Sequence, residues 1–93
     1  MTTEHEQSYE SDLAALRERA DRGDADAADE LIELAAELGD MRELRRLAET
    51  GNSTATDQLI ELAVEQGDLG ELRRLADQGN GTAAEVLEEL SSP

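Results

Sequence analysis

Ninety-three residues allow one domain with a small core, and a hydrophobic share of 38% with only 1% aromatic means that Leu, Ala, Ile and Val must fill it, a composition that leans away from a β-sandwich. Twenty-four acidic residues against eight basic ones, all of them Arg, give a formal charge of −16, which opposes direct contact with a phosphate backbone or an anionic membrane surface. There is no Cys for disulfide or thiol chemistry, no apolar run near the roughly 18 residues of a membrane span, and no basic, apolar start of the signal-peptide kind, so a cytoplasmic chain is the expectation.

Residues 1–11 fit no pattern found later in the chain and read as a flexible acidic tail. Within it His5 sits between Glu4 and Glu6 without a second nitrogen or sulfur ligand, a poor metal site, and Tyr9 is the one aromatic. From Asp12 onward the chain alternates apolar-periodic segments with glycines. Gly23, Gly39, Gly51, Gly67 and Gly79 stand where helices should stop, and Asp24, Asp40, Asn52 or Ser53, and Asp68 follow where the next should start. Five breaks predict six helices, near 12–22, 25–38, 41–50, 54–66, 69–78 and 82–90, followed by a short tail over 91–93. Leu13, Leu16 and Ala20, or Ala27, Leu31, Leu34, Ala35 and Leu38, show the spacing of three and four that gives each helix one apolar stripe.

The breaks themselves recur. Gly23, Gly51 and Gly79 are 28 residues apart, and the same step aligns Leu16, Leu44 and Leu72, then Arg17, Arg45 and Arg73, then Ala20, Ala48 and Ala76. In the second half of each unit Ala27, Ala55 and Ala83 align, as do Leu31, Leu59 and Leu87, Glu33, Glu61 and Glu89, and Leu34, Leu62 and Leu90. The reading is an all-α fold, a right-handed-type αα-solenoid of three helix-turn-helix units (12–39, 40–67, 68–93) with about six short antiparallel helices. Two exceptions fall at its ends: Arg19 stands in the column of Leu47 and Leu75, and Glu88 in the column of Ile32 and Ile60, as expected of terminal units with one face uncovered. The small-residue columns with their following glycines resemble those of tetratricopeptide-type helical-repeat proteins over residues 12–90, although the unit here is shorter and has no Trp or Phe. That resemblance implies a surface for binding protein segments and transfers no individual binding residue.

Two surfaces are candidates for binding. Arg17, Arg45 and Arg73, with Arg46 and Arg74 beside the latter two, form a basic ridge that could receive an acidic peptide or a carboxylate. The plainer reading is local pairing of Arg17 with Asp21, Arg45 with Glu49 and Arg73 with Asp77, each one helical turn away. The alternative surface is acidic: Asp29, Glu33 and Glu37 recur as Asp57, Glu61 and Glu65, then as Glu85 and Glu89, a face suited to a basic partner or to imitating a nucleic-acid backbone. Asp24-Ala25-Asp26-Ala27-Ala28-Asp29 has the start of a calcium loop but not its turn glycine, and helix capping accounts for it better. With one His, no Cys and no Lys, nucleophilic, Schiff-base and triad mechanisms lack their parts, and no metal or cofactor is expected. The expectation is therefore a non-catalytic protein-protein interaction module, monomeric or weakly self-associating, whose partner is a protein or peptide. The alternatives are an acidic decoy of a nucleic-acid-binding protein and an engineered repeat scaffold without a natural partner.

Overall fold

The computed structural model describes residues 2–92, with side chains from Asp12 onward. His5 and Tyr9 therefore lie outside the described side chains, and Met1 and Pro93 outside the described residues. The described residues form six α-helices: α1 (Thr2–Asp21), α2 (Ala25–Leu38), α3 (Met41–Glu49), α4 (Ser53–Gln66), α5 (Leu69–Asp77) and α6 (Gly81–Ser91). Among the described residues there is no strand.

At four of the five breaks the junction is compact and one residue serves two helices. At Gly39 the backbone turns left-handed (φ 67°), so the Asp40 amide donates back to the Ala35 carbonyl at 2.8 Å and closes α2, while the Asp40 carboxylate accepts from the Glu43 amide at 3.1 Å and opens α3. Asp68 repeats this arrangement, bonding Ala63 behind and Glu71 ahead. Asp24 does so between α1 and α2, and Asn80 between α5 and α6. Such tight junctions leave no slack, and each helix folds back along its predecessor.

Five of the six expected helices start and stop within two residues of their predicted positions, and Asn52, not Ser53, caps α4. The exception is the start of α1, expected near Asp12 but found at Thr2. The column that holds Gly39 and Gly67 has Ser11 in the first unit, so nothing ends the helix before Asp12, and Asp12 does not act as the cap that its counterparts Asp40 and Asp68 are.

Packing follows the apolar stripes. Helices associate as α1 with α2, α3 with α4 and α5 with α6, and these pairs are joined by α2 against α3, α2 against α4 and α4 against α5. The described Cα trace extends 47 × 33 × 15 Å, and its smallest dimension is that of two helices set about 9 Å apart. A single apolar cluster runs through all six helices, from Leu13 and Leu16 to Leu75 and Ala83. Leu31, Leu44, Leu59 and Leu72 are its largest fully enclosed side chains, two on the first helix of a pair and two on the second. Ala27, Ala55 and Ala83 are completely covered, so at these points neighbouring helices approach closely enough to leave no room beyond a methyl group.

Candidate functional site

Two carboxylates lie buried among the helices, and sequence reasoning singled out neither. Glu43 at the start of α3 is only 4% exposed and Glu71 at the start of α5 only 5%. Each sits in the first turn of its helix, where the free amides favour negative charge, and each is clasped by two arginines. The Arg17 guanidinium on α1 donates to Glu43 Oε1 through Nε at 2.9 Å and Nη2 at 2.6 Å, while Arg46 donates to Oε2 at 3.0 and 2.8 Å. The second clasp repeats the first. Arg45 on α3 donates to Glu71 Oε1 at 3.1 and 2.7 Å, and Arg74 to Oε2 at 3.1 and 2.6 Å. Both oxygens of each carboxylate are thus saturated by charged donors, the strongest class of side-chain hydrogen bond.

The electrostatics agree with this geometry. Burial by itself pushes the Glu43 carboxyl up, but the hydrogen bonds and charges of Arg17 and Arg46 outweigh burial and leave it below its ordinary value. Glu71 is held low in the same way by Arg74 and Arg45, and Arg74 is raised in return by its bond to Glu71.

Four of the five arginines of the expected ridge, Arg17, Arg45, Arg46 and Arg74, are therefore committed to carboxylates of the chain itself. Arg45 reaches Glu71 on the next helix pair, 26 residues away, instead of Glu49 one turn along its own helix. Arg46 also lies 3.7 Å from Asp21 of α1. Arg73 is different. It is exposed, and among the described residues it has neither a hydrogen bond nor an ion pair, the expected Asp77 included. The signal that could have found the clasps was in the columns: Glu43 and Glu71 each follow an Arg by 26 residues, and their position is Ala15 in the first unit.

The acidic face is where its spacing placed it. Asp29, Glu33, Glu37, Asp57, Glu61, Glu65, Glu85 and Glu89 are all exposed, and none has a basic partner among the described residues. Asp29, Glu33 and Glu37 form one wall of an open groove between α2 and α4, with Ile32 and Ala36 at its base and Thr54 and Gln58 opposite. Asp24, the first residue of the calcium-loop-like segment, is a helix cap, its carboxyl held low by the Ala27 amide and then by Arg19. Among the described residues no cluster of three or more His, Cys, Asp or Glu side chains is placed to hold a metal, and no helix is long and apolar enough to cross a membrane. No family model, curated protein or solved structure matches this chain.

Proposed function

We propose that the chain is a short αα-solenoid of three stacked helix pairs that works as a non-catalytic protein-interaction module, and that the segment it binds is basic. The observation that carries this reading is the division of charge. Six of the eight arginines are engaged with carboxylates of the same chain, whereas Asp29, Glu33 and Glu37 of α2 stand exposed, without basic partners among the described residues, beside a groove with an apolar base, and the acids of α4 are exposed as well. A groove of that kind suits a basic segment that buries an apolar side chain over Ile32 and Ala36 and sets Lys or Arg against Glu33 and Glu37. The Arg ridge supports this role less well, because at four of its five arginines an incoming carboxylate would have to displace Glu43 or Glu71 from saturated bonds.

The charge of −16 also favours the decoy reading, in which the acidic face occupies the nucleic-acid site of a basic protein. One experiment separates the two. A partner recovered from the native lysate is titrated with the wild-type chain and with the Glu33→Lys/Glu37→Lys/Glu61→Lys variant at several salt concentrations, with and without DNA or RNA. The module reading predicts that affinity falls on the order of 10-fold or more in the variant and weakens with salt. Competition by nucleic acid selects the decoy form. Unchanged affinity in the variant overturns the acidic-groove reading.

A further inference from the structure

The two clasps leave a third, incomplete one on the last described helix pair. Arg17 on α1 grips Glu43 of the following pair, and Arg45 on α3 grips Glu71 of the pair after that. Arg73 stands in the same column on α5, but among the described residues no pair follows it and its guanidinium has no partner.

The surface around Arg73 is likewise one that a following pair covers elsewhere. Ala20 shares a hollow with Leu47, and Ala48 one with Arg74 and Leu75, so this side of α1 and of α3 faces the next helix pair. The corresponding side of α5 carries Ala76, Arg73 and, one turn before it, Leu69. Leu13 in the column of Leu69 is buried and Met41 is partly covered, whereas Leu69 is 41% exposed. On the second helix Leu31 and Leu59 are fully enclosed while Leu87, their counterpart on α6, is only partly so.

We infer that this end of α5 and α6 is a docking site for one amphipathic helix of a partner protein, a helix that presents a glutamate at the edge of its apolar stripe with basic residues around it. The occupant's chemistry is read from the chain's own precedent and from charge. Twice a helix with the order Glu-Leu-Arg-Arg lies against such a face, its Glu received by the Arg of the preceding pair and its second Arg closing the other oxygen. At the open end Glu88 replaces the buried Ile32 and Ile60, so the occupant meets an acidic residue there where the interior faces meet isoleucine. That substitution, together with the net charge of −16, selects a helix with basic flanks. A second copy stacked head to tail does not supply the carboxylate, because Ala15 stands in its Glu column. The inference rests on the stacked-pair reading but not on the acidic groove, which lies between α2 and α4.

The test uses the full chain and a helix-constrained synthetic peptide of residues 40–52, which carries Glu43 and Arg46, followed by fluorescence anisotropy. Saturable binding is expected for the wild-type chain and for Glu33→Lys, with a loss on the order of 10-fold or more for Arg73→Glu. A peptide with Glu43→Arg should bind the Arg73→Glu chain better than the wild-type chain does. Because Arg73 is exposed and has no partner among the described residues, the variant should keep the wild-type circular dichroism and melting curve. No binding by the wild-type chain, equal binding by Arg73→Glu, or failure of the swapped pair overturns the inference. So does Arg73-dependent self-association of the chain in sedimentation, which would make the occupant a second copy. Loss of binding in Glu33→Lys alone would shift the peptide to the groove, again against this site.

Discussion

Glu43 and Glu71 show how much depends on which group is removed. Each carboxylate is buried, but its arginines are more than 30% exposed, so a variant that deletes the acid leaves guanidinium groups that water can still reach. Glu43→Gln or Glu71→Gln should therefore destabilise the fold by about 1–2 kcal/mol each near neutral pH, less than for a fully enclosed pair. The pH dependence has a definite sign. Both carboxyls titrate below the ordinary glutamate value of 4.5 in the folded chain, so their contribution is complete above that value and is lost as pH falls below it through the folded values. The gap between the urea midpoints of the wild type and of Glu43→Gln/Glu71→Gln should be widest near pH 7 and should narrow as pH falls below 4.5. Comparing the two proteins cancels the relief of general charge repulsion that acid brings to both. A gap that does not change with pH would mean that the ionised carboxylates of the clasps add no stability. These residues also mark where the sequence stops being legible. An Arg paired one turn along its own helix can be seen in the letters, and that is where the sequence reading put Arg45 and Arg73. The true partner of Arg45, Glu71, is a neighbour only after two helix pairs have come together.

At the scale of the element, the helices were legible because each boundary is written locally. Gly39 followed by Asp40, or Gly67 by Asp68, combines a stop and a start in two adjacent letters, and the structure uses both. The start of α1 was missed for the converse reason: Asp12 looks like a cap, but without a preceding glycine it sits inside a continuous helix. The apolar stripes were read correctly as stripes, yet periodicity does not say how deeply each member lies. Leu31 and Leu38 share one helix and one spacing, but Leu31 is enclosed and Leu38 is exposed near the end of α2. Leu59→Ala should cost about 2–5 kcal/mol, because a fully enclosed leucine leaves a cavity between helices that cannot close around it. Leu38→Ala should stay within about 0.5 kcal/mol of the wild type. Equal losses for the two in chemical denaturation would contradict the burial pattern.

For the molecule as a whole, the feature that matters is the shared interior. The buried leucines belong to one cluster that spans all three helix pairs. Leu87, on the last pair, is less covered than Leu31 and Leu59, which have a further pair beside them. Fully burying a leucine is worth about 1.5–3 kcal/mol, and a lone pair holds too few of them to offset the chain entropy of some 28 ordered residues. The clasps strengthen the same dependence, since Arg17 with Glu43 and Arg45 with Glu71 each join two pairs. Stability therefore lies between the pairs, and the middle pair depends on both neighbours. The direct measurement is circular dichroism of the excised middle pair, residues 40–67, beside the full chain in the same buffer. The full chain should be strongly helical with a cooperative thermal transition, and the fragment should show little helix and no transition. A fragment that melts cooperatively from a helical baseline would contradict the account.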